Sequence, residues 1–264
     1  MIRLFLVVAL LLYFARGAAP WLERHQGRLL APWVLWSGIG AHAVGILGEV
    51  ALEGLGSTLH LALAGLSLLL MLGNLYLQRW PRMEALEGVL LPLSGVLLGL
   101  SLIAPGQVTG GAPLTWWLPV HIGFTILGFG GLALTFSLSV LYLWVRRRLK
   151  NKKLVGIGRL PSLMALDDLN QRCMVLGFVS LTAGMASGVL WAALGDAGMG
   201  ATADVTVYAT VALWLWYAVG LHLRLIAGYR GQTAAWFGVV GFGGVSLIMT
   251  SATLIFSSFH GVAG

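Results

Sequence analysis

The sequence predicts an all-α, polytopic bundle of transmembrane helices. Three observations predict it: scarce charge, long apolar stretches, and an alternation of basic and non-basic connections. Of 264 residues, 58% are hydrophobic and 9% are charged, with a mean hydropathy of +0.90. Soluble domains carry about 25% charged residues, so these few charges cannot cover a soluble surface. The 37 glycines suit helices that approach closely in lipid. A single cysteine, Cys173, excludes an internal disulfide framework, a CxxC pair and a CxxCH motif. In such a chain a net charge of +7 sets orientation. The expected surroundings are therefore a lipid bilayer, with no nucleic-acid partner.

A span needs about 20 mostly apolar residues to cross a hydrocarbon core of about 30 Å. Eight stretches qualify, roughly Ile2 to Ala15, Ala31 to Leu52, Ser57 to Gln78, Glu87 to Ala104 and Leu114 to Val145, then Gln171 to Leu194, Val205 to Ile226 and Ala234 to Phe259. The first is short and begins with Arg3, but no small-residue cleavage site leads into a soluble domain, so it reads as a retained helix. No repeat and no long loop divides the chain, and residues 1–264 read as one integral membrane domain.

The connections orient the bundle. Basic residues follow the first span (Arg16, Arg24, Arg28), the third (Arg79, Arg82), the fifth (Arg146 to Arg159) and the seventh (Arg224, Arg230). The alternate connections, carrying Glu49 and Glu53, residues 105–113, and Asp196 and Asp204, hold no lysine or arginine. Positive-inside orientation then places both termini outside. The expected location is the inner (cytoplasmic) membrane of a bacterium.

Ionisable side chains within a membrane are costly, and each one is a candidate site. His25 falls in the first basic loop, but five other histidines fall in or at the ends of spans. His121, His260 and His60 lie towards the outer side, His42 near mid-depth, and His222 towards the cytoplasmic end. Neutral imidazole is the natural axial ligand of haem iron, and two histidines on different helices can clamp one porphyrin. Arginines near the surface, Arg224 and Arg172 here, then suit the propionates. The competing explanation is that such histidines only make interhelical hydrogen bonds. No HExxH, Walker loop, GxSxG or paired intramembrane carboxylate supports a hydrolase, an ATPase or a proton pump. Most of the eleven tryptophans read as an interfacial belt. Trp191, Trp214 and Trp216 could instead stack on a porphyrin, although belt anchoring explains them as well.

Four segments carry a resemblance. They are Pro119 to Lys153, in which a histidine opens a long span ending in a basic loop, and Leu160 to Ala192, with a Leu-Asn-x-Arg helix start and a Gly-x-x-Trp-Ala end. The other two are the Leu-His-x-Arg…Gly-x-Arg-Gly stretch around His222 and the terminal "SSFHGVAG". In this order they resemble the CcsA/HemX cytochrome c assembly family, whose members are thought to bind haem in the membrane and present it outside to apocytochrome c. The resemblance covers the second half of the chain; the first half matches loosely, through an Ala-His in its second span.

The resemblance implies that His121 and His260 match two external haem ligands and His222 an intramembrane one, with His42 as candidate partner. The cofactor implied is haem b. The partners implied are other membrane subunits and cytochrome c assembly or acceptor proteins. One departure stands out. The family's tryptophan-rich signature ending Trp-Asp-Pro is replaced here by "GDAGMGATADVT", which points to the HemX-like members and away from thioether formation. The expectation is a haem-handling component of cytochrome c maturation or haem delivery, and not a stand-alone enzyme. Two alternatives stay open: a haem-free regulatory or scaffolding subunit, and a cytochrome b-like electron carrier using His42/His222 and His121/His260. Two geometric expectations follow. His121 and His260 should meet at the outer surface, and His222 should face the interior with Arg224 beside it.

Overall fold

A computed structural model describes residues 2–26, 33–53, 59–104, 117–152, 157–194 and 205–260. Among them lie eight α-helices: α1 (Arg3–Gln26), α2 (Trp33–Glu53), α3 (Leu59–Leu77), α4 (Glu87–Ile103), α5 (Trp117–Lys150), α6 (Leu163–Leu194), α7 (Val205–Leu225) and α8 (Gln232–His260). Five of them, α2 to α6, are long and apolar enough to cross a membrane by the described residues. The end of the bundle that holds His60 and His121 is termed the outer end, after the predicted orientation.

The helices close into two rings of four. In the first, α1 packs on α2 and α4, and α3 on α4 and α2; in the second, α5 packs on α6 and α8, and α7 on α8 and α6. The rings join chiefly where α3 lies along α5. Small residues make these contacts close, as expected where lipid gives helices no hydrophobic reason to associate. Along α5 and α6 backbone nearly touches backbone: a Cβ on Gly131 would fall 2.6 Å from the Gly177 Cα, and one on Gly128 2.8 Å from the Leu181 Cα.

Polar side chains in the first ring stand seven residues apart and so share one helix face. His60, Ser67 and Asn74 line α3, while Ser101 and Ser94 answer them from α4. Ser67 and Ser94 exchange hydroxyl contacts at 2.7 Å near the middle of the ladder, and at its inner end Gln78 and Arg16 both donate to Glu87. Buried polar groups in lipid need partners inside the protein, and the serine, histidine and Glu87 contacts supply them across helices, whereas both polar atoms of the buried Asn74 side chain have none among the described residues.

Two helix boundaries differ from the sequence expectation. α6 begins at Leu163 and not near Gln171, because Ser162 caps it, its hydroxyl accepting from the Ala165 amide at 3.1 Å. α1 continues to Gln26, so Arg16 and Arg24 belong to a helix and not to a loop.

Candidate functional site

His121 sits one turn into α5 and faces α6. Its Nδ1 donates to the Gly184 carbonyl at 2.8 Å. The ring also lies against Gly188, where a Cβ would come within 2.8 Å of Cε1 and 3.0 Å of Nδ1. The Gly-x-x-x-Gly pair of α6 therefore leaves the space that a histidine ring fills, and its first carbonyl holds that ring. A carbonyl only accepts, so Nδ1 carries the hydrogen and the Nε2 lone pair of the neutral ring is left for another partner. Metal-ligating histidines are characteristically oriented in this way, through their other nitrogen. The ring is half-buried at the bundle end.

His260 is the last residue of α8, and its side chain lies outside the described residues, as do the side chain of His25, which falls within α1, and the segment 195–204 that replaces the tryptophan-rich signature. The expected meeting of His121 and His260 is therefore carried by backbone alone. α8 runs antiparallel to α5, with Gly231 against Tyr142, Gly238 against Ser139 and Thr135, and Gly243 against Phe136. Continued in that register, α8 delivers its C-terminal residues to the end of α5 where His121 stands.

At the inner end the structure corrects two expectations. His222 is exposed and does not face the interior. Arg224, two residues on, is buried, and two residues turn an α-helix through about 200°. The two side chains therefore cannot share a face. Nor is Arg224 available to a propionate. Its Nε donates to Gln171 Oε1 at 3.2 Å and Nη1 to Asn170 Oδ1 at 3.1 Å. Nη2 donates to the Asp167 carbonyl at 2.6 Å and to Asp167 Oδ1 at 2.7 Å. Asp167 Oδ1 also accepts from the Gly231 amide at 3.1 Å, while Asn170 Nδ2 donates to the Thr135 carbonyl and to Ser139 Oγ. Arg224 thus ties α7 to α6, and through Asn170 to α5. Arg172 is exposed and lines a groove of about 690 Å³ on the face of α6, with Asp168, Gln171 and Val175.

His42 is fully buried in the first ring. Its Nδ1 lies 3.1 Å from the Tyr13 hydroxyl, the ring stands beside the Ala64 backbone, and Nε2 makes no hydrogen bond of ordinary geometry. That open nitrogen suits a ligand. Yet His42 is enclosed by α1, α2 and α3, whereas His222 lies on the far side of the other ring. The expectation that His42 and His222 clamp one porphyrin does not survive this separation.

Trp214 stacks on Phe178 at 5.5 Å and donates to Thr182 Oγ1, and Trp216 donates to the Phe237 carbonyl. Both therefore have interhelical partners, and the Trp191 side chain is outside the described residues. The sequence reading missed Glu49, which it assigned to an outer connection. Glu49 lies within α2 and is buried against His60. Its position seven residues after His42, on the same helix face, was the available signal.

These features define a polytopic helical membrane protein with an oriented imidazole at one end of its bundle. The family described as "Cytochrome C assembly protein" matches residues 56–260, and the chain belongs to it. Similar proteins include the "Cytochrome c biogenesis protein CcsA" of Heterosigma akashiwo, 26% identical over 224 residues, 70% of this chain and 69% of the relative. The protein of the same name from Chlamydomonas reinhardtii is 32% identical over 146 residues, 54% of this chain and 40% of the relative. That from Prochlorococcus marinus is 25% identical over 200 residues, 65% and 63% of the two chains. The match begins at residue 56, so α1 and α2, with His42 and Glu49, lie outside it.

Proposed function

We propose that this protein handles haem for cytochrome c maturation, holding it at the outer end of α5 through His121, with His260 as the second ligand. The observation that carries the reading is the Nδ1–H contact of His121 to the Gly184 carbonyl, which leaves Nε2 free for iron. The register of α8 along α5 supports the assignment of His260. The family membership and the names of the similar proteins support the process. When bound, haem b would supply the iron porphyrin that is to be joined to an acceptor cytochrome. The protein's own contribution is to orient one imidazole and fix its tautomer.

The same reading takes the eight helices as eight spans with both termini outside, in one domain, located in the inner membrane of a bacterium. It takes acceptor cytochromes and other membrane subunits as partners. Of the haem-binding residues expected at the inner end, His222 and Arg172 are exposed and would meet haem only from outside the bundle. His42 would require α1, α2 and α3 to part. The outer site therefore bears the proposal.

The process is tested in cells whose own cytochrome c assembly protein has been removed. Supplying this chain should restore haem to the membrane fraction, read as its haem-to-protein ratio, and His121→Ala should abolish the restoration while the chain still accumulates in the membrane. Restoration by His121→Ala at the wild-type level would contradict the proposal.

A further inference from the structure

The first ring carries an ionisable cluster that haem handling at His121 does not use. His60 on α3 and Glu49 on α2 are 2% and 3% exposed. His60 Nε2 lies 2.5 Å from Glu49 Oε2, and His60 Nδ1 lies 2.5 Å from the Ser101 carbonyl of α4. Arg3 of α1 reaches Glu49 Oε1 at 3.3 Å, and half of its own side chain is exposed. Four helices thus meet on one imidazole and one carboxylate inside an apolar bundle, where ionisable groups are costly.

Counting hydrogens on these partners gives the inference. The Ser101 carbonyl only accepts, so His60 Nδ1 must carry a hydrogen. His60 Nε2 then faces a carboxylate oxygen. If Nε2 were bare and Glu49 ionised, a lone pair would face an anion with no hydrogen between them, at two side chains that are almost fully buried. One additional proton resolves the contact. It sits either on Nε2, making an imidazolium–carboxylate pair, or on Oε2, making a carboxylic acid that donates to Nε2. Both arrangements hold the same number of protons, and the second leaves the pair itself without formal charge, the cheaper condition in hydrocarbon.

We propose that Glu49 and His60 form a buried proton-binding site at the outer end of the bundle, its ligand a single proton exchanged with the outer aqueous phase past Arg3. When the site is loaded, the proton joins α2 to α3, and through Ser101 to α4. When the proton leaves to water, Nε2 and Oε2 face each other bare and the contact between α2 and α3 breaks.

Among the described residues, the groups facing the pair are few. α1 contributes Arg3, which neutralises the second carboxylate oxygen. The Ser101 hydroxyl of α4 donates to the Leu98 carbonyl and does not compete. α5 runs parallel to α3, with Ile126 against Gly65, Gly130 against Leu69 and Leu134 against Gly73. This register puts His121 level with His60, but His121 turns towards α6. Proton occupancy therefore sets helix packing at the depth of His121 without involving its ring. The site stands whether or not haem binds.

The test uses the full chain, haem-free in lipid nanodiscs, with 15N-labelled histidine and 13C-labelled glutamate. Of the six histidines, His60 is identified as the one whose ring nitrogen correlates with a glutamate carboxyl carbon, so no variant is needed for assignment. At neutral pH, the expected result is one of two signatures. Either both His60 nitrogens are protonated, or Nε2 accepts from a carboxylic acid whose infrared carbonyl band disappears in Glu49→Gln. Raising the pH should release one proton per chain and abolish the histidine–glutamate correlation. A His60 ring with a single protonated nitrogen beside a fully ionised Glu49, with the correlation intact, would overturn the proposal. So would the absence of any histidine–glutamate correlation at neutral pH.

Discussion

The Arg224 guanidinium of α7 grips Asp167 of α6 twice, on its carbonyl at 2.6 Å and on its carboxylate at 2.7 Å. The same carboxylate oxygen holds the amide of Gly231, a glycine with φ of +66° at the turn into α8. Two segments that the sequence analysis read as separate family features, Leu-Asn-x-Arg and His-x-Arg…Gly-x-Arg-Gly, are therefore the two halves of one clamp.

Removing one partner of a buried ion pair costs about 3–5 kcal/mol, because the other charge is left uncompensated. Arg224→Ala should accordingly destabilise the bundle by about that amount, whereas an average interhelical hydrogen bond in a membrane protein contributes only about 0.6 kcal/mol. Arg224→Lys should recover little, since lysine cannot reproduce the fork that spans Asp167, Asn170 and Gln171. Unfolding of the purified chain in detergent, compared across Arg224→Ala, Asp167→Ala and the double variant, measures the coupling. Additive effects of the two single changes would rule out the clamp.

His222→Ala tests the reversed orientation. The side chain is exposed and two residues from a buried arginine, so its loss should leave both stability and the haem-to-protein ratio at the wild-type value. A lowered ratio would return His222 to the binding site and require haem to dock on the lipid-facing surface of α7.

How far the sequence reaches is visible in such pairs. Helices were legible because charge scarcity and apolar length act on long windows: every expected span corresponds to a helix, and five of these are long and apolar enough by the described residues to cross a membrane. The His121 ring was legible as a candidate because an imidazole in lipid is costly wherever it sits. Its tautomer was not, because Gly184 is 63 residues away and only the close α5–α6 contact brings its carbonyl to Nδ1. Glu49 was misplaced for a related reason: a carboxylate near a span end reads as solvated until His60 and Arg3 are seen to enclose it. The orientation of His222 could have been inferred, since residues two apart on a helix cannot both face inward.

Gly188 provides a test of the outer site that leaves both histidines in place. A methyl group at this position would fall 2.8 Å from His121 Cε1 and must turn the ring off the Gly184 carbonyl. Disturbing the partner that orients a metal ligand typically costs about 10–100-fold in affinity, so Gly188→Ala should weaken haem binding by about 10-fold in a haem titration. The helix content should remain that of the wild type. Unchanged haem affinity would mean that His121 is not oriented through α6.

Orientation is open to direct measurement. Reporter fusions at Lys150, which ends α5, and after Gly264 should report opposite sides of the membrane, with Lys150 on the cytoplasmic side. Reports from the same side would exclude eight spans with both termini outside.

The most direct test of the account is the visible absorption spectrum of the purified full-length chain with added haem, recorded for wild type and for His121→Gly with and without imidazole. The account predicts a bis-imidazole haem spectrum for wild type, its loss in His121→Gly, and its return when free imidazole occupies the space between α5 and Gly188. A His121→Gly protein that binds haem with an unchanged spectrum and an unchanged ratio, before any imidazole is added, would contradict it.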